Sequence, residues 1–381
     1  MSATYGTNMT GRLSTPPFWR GRRVLVTGHT GFKGAWMSLW LAVQGAKVSG
    51  LALAPVDGSF FTRVGVSKLM ERSAIADVRD VAPLQQILAE VEPEIVFHLA
   101  AQALVRPSFE DPIGTYATNV MGTVHLLDAV RRQPSVKAVV VVTSDKCYEN
   151  REWMWGYRED EPMGGYDPYS SSKGCAELVT SAFRRSYFSA AGKDACRIAS
   201  GRAGNVIGGG DLGRDRLVPD LIRGLRVGEK TLIRNPTAIR PWQHVLEPVS
   251  GYLTLAERLI SDDGHNLAEG WNFGPYPASE RTVAELADLV CRIWGKAAGW
   301  QHDDGAHVHE AQFLKLDSSK ARQRLGWKPM WSFEQAVLST VEWYQAERDG
   351  KDMAQYSMDQ IASYMNAGAA SDTARSSLTA P

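Results

Sequence analysis

The run Arg23-Val24-Leu25-Val26-Thr27 leads directly into Gly28-His29-Thr30-Gly31-Phe32-Lys33-Gly34, and then into a helix-forming stretch from Ala35 to Val43. Glycines at this spacing allow a tight turn, close approach of a pyrophosphate to backbone N–H groups, and close packing of helix on strand, with the helix N-terminus facing the anion. A glycine triplet by itself serves turn geometry equally well. Here it follows a strand, opens a helix and starts an alternating region, the context that predicts dinucleotide binding. Gly28, Thr30, Gly31, Phe32, Lys33 and Gly34 form the expected cradle. The spacing is G-x-x-G-x-x-G rather than G-x-G-x-x-G, and the acid expected about 20 residues on, for the adenosine ribose, is missing. Leu51-Ala52-Leu53-Ala54-Pro55 occupies that place, with Asp57 only slightly beyond. The turn therefore predicts a nicotinamide dinucleotide without choosing between NAD and NADP.

Beyond the turn, apolar β-branched runs alternate with amphipathic stretches: Lys47 to Ala52, a helix from about Val81, Glu94 to Leu99, a helix from about Ile113, and Val136 to Thr143. Such alternation predicts βαβ units, hence an α/β fold with a parallel sheet covered by helices on both faces. Asp77-Val78 follows a further short strand and has two readings, an adenine contact or a turn acid. After about Gly201 the pattern breaks into short strands such as Thr231 to Ile233 and Trp271 to Phe273, among helices such as Val283 to Ile293 and Phe333 to Trp343, which predicts a smaller domain over the carboxyl edge of the sheet. Residues 1–17 and 367–381, rich in small and polar residues without apolar periodicity, read as disordered tails.

Equal numbers of Lys+Arg and Asp+Glu, 42 each, disfavour a nucleic-acid or anionic-membrane binder. No apolar run approaches the roughly 20 residues needed to span a bilayer. Cys147, Cys175, Cys196 and Cys291 lack zinc spacing and read as reduced thiols of a cytoplasmic protein. His302, His307 and His309, with Asp303 and Asp304, lack regular ligand spacing and read as a polar loop, so no metal is expected. Trp36 and Trp40, four apart beside Leu39, read as core rather than as a base-stacking platform.

The reactive candidates lie on one helix and one strand end. In Tyr169-Ser170-Ser171-Ser172-Lys173 a separation of four places the phenol and the ammonium on one helix face. A neighbouring cation, added to the positive charge of a nicotinamide, lowers the phenol pKa and makes it a usable general base. Thr143-Ser144-Asp145-Lys146 ends a buried apolar strand, so these polar side chains project at the carboxyl edge, where ligands bind in such sheets.

With these residues the chain resembles the extended short-chain dehydrogenases/reductases, and within them the nucleotide-sugar 4,6-dehydratases. The likeness runs from about Phe18 to about Trp343. It includes the glycine turn, His98-Leu99-Ala100-Ala101-Gln102, Asn119, the Ser/Tyr/Lys set, Arg202-Ala203-Gly204-Asn205-Val206, Arg240-Pro241-Trp242 and Leu325-Gly326-Trp327. Phe18-Trp19, Ser144-Asp145-Lys146-Cys147-Tyr148, Gly164-Gly165-Tyr166-Asp167-Pro168-Tyr169, Gly208-Gly209-Gly210-Asp211 and Arg240-Pro241-Trp242-Gln243-His244-Val245 resemble the branch acting on cytidine diphosphate glucose.

The resemblance implies a Rossmann-type doubly wound parallel sheet with a smaller C-terminal substrate-binding domain. Residues 18–200 would be the NAD-binding domain, with part of 240–275 returning to it, and 201–350 mainly the substrate domain. It implies NAD as cofactor, held by the turn, Asp77, Val78, Leu99, Ala100, Ala101, Gln102, Asn119, Thr143, Tyr169 and Lys173. It implies dehydration of CDP-D-glucose to CDP-4-dehydro-6-deoxy-D-glucose, a precursor of deoxy sugars of surface polysaccharide such as the O-antigen of lipopolysaccharide. Tyr169, supported by Lys173, would take the 4-hydroxyl proton, Ser144 would hydrogen-bond the same oxygen, and Asp145 would protonate the departing 6-hydroxyl.

One position departs from the pattern. Where the thymidine-diphosphate relatives carry Glu after the acid, this chain has Lys146, either a C5 base with a lowered pKa or an electrostatic stabiliser of the enolate. A planar guanidinium suits the substrate pyrophosphate, and Arg240 is the first candidate, with Asn205 and Leu217 lining the same pocket; Arg106 and Arg234 are weaker candidates. Helices around Val120 to Val130 and Tyr169 to Phe183 would pair with a second subunit in a homodimer. The alternatives are a nucleotide-sugar 4-epimerase, which needs Tyr169 and Lys173 but no dehydration acid, and a noncatalytic sensor or scaffold on the same fold.

Overall fold

The computed structural model describes residues 18–189, 195–295, 299–305 and 313–378. Six strands, β1 (Arg23–Thr27), β2 (Lys47–Ala52), β3 (Arg72–Ile75), β4 (Ile95–His98), β5 (Ala138–Val142) and β6 (Arg197–Arg202), join Gly270–Asn272 in one seven-stranded parallel sheet. The spatial order is Gly270–Asn272, β6, β5, β4, β1, β2, β3. All five residues of β5 are buried, as befits a parallel strand covered on both faces. The winding reverses between β1 and β4, where Thr27 pairs with His98, and this opens a crevice at their carboxyl ends. The strand boundaries lie within a residue or two of those the apolar runs predict.

Helix α1 (Phe32–Val43) and helices Leu246–Ile260 and Phe333–Arg348 belong to the core on one face, and Val81–Val91 and Gly122–Val130 to that on the other. Trp36 is fully buried, stacked on Phe60 at 4.2 Å, and donates its Nε1 hydrogen to the Gly209 carbonyl at 3.0 Å. Trp40 meets Tyr364 edge to face. Both tryptophans are core residues. The helix expected from about Ile113 is broken into Pro112–Tyr116, a π-helical turn at Ala117–Met121, and Gly122–Val130.

Past β6 the chain builds small pairs of strands: Val206–Ile207 with Gln243–His244, Ile239–Pro241 with Glu280–Thr282, and Thr231–Ile233 with Trp300–His302. Strand Gly270–Asn272 then returns to the main sheet beside β6. At the C-terminus the structure differs from the composition reading. Helix Met353–Leu378 runs through most of the segment read as a tail. The sequence from Ala369 onward contains alanines and no glycine or proline before Leu378, so nothing in it breaks a helix already started. This helix is anchored by Tyr364, whose hydroxyl donates to Glu247 at 2.5 Å, while the same carboxylate accepts from the backbone N–H groups of Met330 and Trp331. The N-terminal stretch 1–17 lies outside the described residues.

Candidate active site

The crevice is a cavity of about 820 Å³ that runs from the glycine turn to Arg240. Gly28 has φ +76°, and a Cβ there would stand 2.7 Å from the Ala100 backbone nitrogen. A Cβ at Gly34 would overlap the Gly28 carbonyl, so the third glycine of the turn closes the helix onto it. Gly31 is the N-cap of α1 and no side chain caps it; Phe32, Lys33 and Gly34 line the cavity with their N–H groups free for an anion. Thr30 donates to the Leu53 carbonyl at 2.9 Å, tying the turn to the end of β2. The donor-rich backbone cradle fits a dinucleotide pyrophosphate.

Leu99, Ala100, Ala101, Gln102, Asp77, Val78 and Thr143 also line the cavity. The Asp77 carboxylate is already engaged: it accepts from the Arg79 backbone at 2.9 Å and from the Arg79 guanidinium at 2.7 Å, and the hydrogen bond from Arg79 holds it below the usual carboxylate range. Asn119 is the one expected cofactor residue that does not reach the cavity wall. Its side-chain amide is spent on the backbone of Gln102, at 2.8 and 3.0 Å, and on the Ser172 hydroxyl at 2.8 Å, so it joins the loop after β4 to the helix Pro168–Tyr187.

That helix is started by Asp167, whose carboxylate accepts from the Ser170 N–H at 2.9 Å, with Pro168 in the first turn. It carries Tyr169 and Lys173, both buried at the cavity. Burial pushes the Tyr169 phenol up to about 12, partly offset by the Ser144 hydroxyl. Burial pushes Lys173 down to about 8, against the opposing pull of Glu177. Facing them, Ser144 caps a 3₁₀ turn at Asp145–Cys147; its hydroxyl accepts from the Lys146 N–H at 3.2 Å and donates to Asp145 Oδ1 at 2.9 Å. Asp145 Oδ2 is buried with no hydrogen-bond partner. A free carboxyl oxygen in a lined cavity is placed to exchange a proton with a ligand.

Two cations at this centre stand beyond the sequence reading. Lys33 was expected only at the cofactor cradle, yet burial, Lys173 and Arg216 push its ammonium down to about 7 while Asp145 opposes the shift, and it lies 5.6 Å from the centre of the Tyr252 ring. Arg216 pairs with Asp211 at 2.9 Å and helps lower the Tyr169 phenol. The signal available for Arg216 was its position directly before Leu217, which opens helix Leu217–Val227.

Leu217, Asn205 and Arg240 all line the same cavity, as do Arg106 and Arg234. Arg240 lies in strand Ile239–Pro241, and Asn205 adopts φ +49°, a left-handed conformation that asparagine tolerates better than most residues. Arg106 forms a 3.0 Å ion pair with Asp215. His302 pairs with Asp304 at 2.7 Å, and His307 and His309 lie outside the described residues. Among the described residues no three His, Cys, Asp or Glu side chains are grouped to hold a metal, and no helix is long and apolar enough to cross a membrane.

Gly204 makes the site sensitive to one methyl group. A Cβ at this position would overlap the Asp145 carboxyl. Gly204→Ala is expected to displace Asp145 and cut turnover about 100-fold, because a shift of about 1 Å costs that much. Steady-state kinetics beside a circular dichroism spectrum would check that activity falls while the fold is kept.

Residues 25–340 match the family model described as GDP-mannose 4,6 dehydratase. The chain is 55% identical over 353 residues to a CDP-glucose 4,6-dehydratase of Salmonella typhimurium, covering 92% of this chain and 98% of the relative. It is 26% identical to a dTDP-glucose 4,6-dehydratase of Xanthomonas campestris pv. campestris, covering 84% and 92% of the two chains. Among solved structures, a dTDP-glucose 4,6-dehydratase from Bacillus anthracis in complex with NAD superposes with a TM-score of 0.73 at 22% identity, covering 87% of this chain and 99% of that one, which supports the fold.

Proposed function

The chain belongs to the family described as GDP-mannose 4,6 dehydratase, and from that premise we propose that it is an NAD-dependent CDP-glucose 4,6-dehydratase, a hydro-lyase that forms CDP-4-dehydro-6-deoxy-D-glucose. The observation that carries the reading is the free, buried Asp145 Oδ2 in the same cavity as Tyr169, Lys173 and the glycine cradle. A 4-epimerase would use the phenol and the lysine but has no task for such an acid.

Bound NAD supplies the hydride acceptor for oxidation at C4 and the donor for reduction at C6. The protein supplies the proton chemistry. Tyr169 Oη takes the proton of the 4-hydroxyl, with Lys173 and Arg216 stabilising the phenolate. Ser144 Oγ orients the same sugar oxygen. Asp145 gives its proton to the departing 6-hydroxyl. Lys146 Nζ, half-buried at the cavity wall, takes the C5 proton and, as the ammonium so formed, holds the enolate charge. Asn205, Leu217 and Arg240 hold the nucleotide end, the guanidinium facing the pyrophosphate.

Two features of the surroundings complete the reading. Ile113, Tyr116 and Met121 expose apolar side chains in one helical segment, and Leu178 and Tyr187 do so on the helix that bears Tyr169, which supports a homodimer packed through these helices. Four unpaired cysteines suit a reducing cytoplasm.

The test incubates the protein with NAD and each of CDP-, UDP-, GDP- and dTDP-glucose and follows the mass of the sugar nucleotide. Loss of one water is expected from CDP-glucose. Water loss confined to another nucleotide would overturn the substrate, an isomer of unchanged mass would favour the epimerase, and binding of NAD without turnover would favour a sensor.

A further inference from the structure

Outside the cavity, a single carboxylate receives three hydrogen bonds, one from the end of β5 and two from β6. Glu177 lies two helical turns after Tyr169 and one after Lys173 on helix Pro168–Tyr187, and it is buried. Its carboxylate accepts from the Thr143 hydroxyl, from the Ser200 hydroxyl at 2.6 Å and from the Arg202 guanidinium at 2.8 Å. Thr143 immediately precedes Ser144. Arg202 also donates to the Tyr148 hydroxyl at 2.6 Å, which in turn donates to Asn272 at 2.7 Å. The segment bearing Ser144, Asp145 and Lys146 is thus held at both ends, by Thr143 and by Tyr148, to a network centred on Glu177.

We propose that Glu177 is a positioning residue for the oxidation at C4: it holds Lys173 as a cation and locks the Thr143–Tyr148 segment against the helix that carries Tyr169. This rests on the roles given to Tyr169 and Lys173 above. A buried ion pair of Glu177 with Arg202 alone would be a weak source of stability, since desolvating both charges offsets their attraction. Its setting gives it a further use. Four spacings along a helix bring Glu177 and Lys173 onto one face. The other groups acting on Lys173 are Lys33 from the start of α1, which is of like charge; His98 from β4, which burial pushes down to about 3 and keeps neutral; and Cys147, whose thiol burial pushes well above its usual value and also keeps neutral. Burial pushes the Glu177 carboxyl up, yet Arg202, Ser200 and Thr143 together hold it below the ordinary value, so it stays an anion at neutral pH. It is the carboxylate that offsets the burial of Lys173.

The sign of the effect follows. Removing the anion lowers the Lys173 pKa further, so the ammonium is lost at a lower pH and the phenolate loses its counter-charge earlier. Glu177→Gln is expected to move the alkaline limb of the pH–kcat profile down by about one unit while KM for CDP-glucose stays near wild type. Glu177→Asp, with its charge one methylene further away, should move the limb in the same direction by less, and serves where the glutamine variant does not fold. An unmoved limb with a lowered Tm would show a merely structural residue and overturn the proposal. A second readout needs neither NAD nor turnover. In a double-mutant cycle with Lys173→Met, read by thermal denaturation of the cofactor-free protein, Glu177→Gln should cost markedly less in the methionine background; additive losses would overturn the coupling. If the wild type acts on no sugar nucleotide, the function fails, and this cycle still decides whether Glu177 holds the lysine charge.

Discussion

Tyr169→Phe is expected to slow oxidation at C4 by about a thousandfold, within the range that a positioned acid or base contributes. In the chain alone the phenol is pushed up to about 12 by burial, which would leave almost none ionised at neutral pH. The groups arranged to bring it down are the Ser144 hydroxyl and the Arg216 guanidinium, with the Lys173 ammonium one turn along the helix and the positive charge of NAD added on binding. The enzyme therefore spends its local charge on making one phenolate, and phenylalanine keeps the packing while deleting the oxygen. The measurement is the absorbance of reduced cofactor in a single turnover after mixing protein, NAD and CDP-glucose. In the wild type the rate should rise with pH as the phenol ionises, up to the point at which Lys173 loses its proton; the phenylalanine variant should lose the rising part. A rate unchanged in the variant would remove Tyr169 from the base role.

The parts of this molecule that the sequence makes legible are those whose meaning is local. β1, β2, β4 and β5 are covered on both faces, so they read as apolar runs, and the glycine turn requires its conformation wherever it is used. Tyr169 and Lys173 are legible for the same reason: a spacing of four on a helix fixes their common face. The third member of the set, Ser144, is legible because it follows a buried strand. What stays hidden is what the tertiary fold brings together. Nothing local says that Gly270–Asn272, three residues long, adds to the sheet beside β6, or that Arg216 faces a phenol 47 positions earlier. Lys33 sits inside the turn that announces the cofactor, and only the folded chain shows its ammonium among Lys173, Arg216 and Asp145. Asn119 adds a contact that only the fold reveals. Its place in the family pattern suggests a cofactor contact, and in the folded chain its amide fastens the loop after β4 to the helix of Tyr169. The stretch from Ala367 reads as a tail because it carries no apolar periodicity, and the anchor of the helix that enters it, Tyr364 on Glu247, is a contact over more than a hundred residues.

Asp145→Asn should separate the two halves of the reaction. Asparagine has the size of aspartate and can still accept from the Ser144 hydroxyl through its one carbonyl oxygen, so the packing around Gly204 survives. It cannot give up a proton to a departing hydroxyl. Oxidation at C4 depends on Tyr169 and should continue, whereas loss of water should fall by about 10²–10⁴-fold. Reduced cofactor then accumulates on mixing with CDP-glucose, together with a 4-keto sugar that keeps its 6-hydroxyl, both visible by absorbance and by mass. That pattern is the reverse of the one expected for Tyr169→Phe, which should form reduced cofactor about a thousandfold more slowly. Where Asp145 is ionised it also raises the Lys33 pKa, a pull that asparagine does not supply. The comparison is therefore made as a pH series, with the oxidation rate and the water-loss rate followed separately. If both rates collapse together at every pH, Asp145 organises the site instead of donating the proton. If water loss persists at the wild-type rate, the acid is another residue, and the free oxygen that distinguishes this cavity from an epimerase's has no part in the elimination.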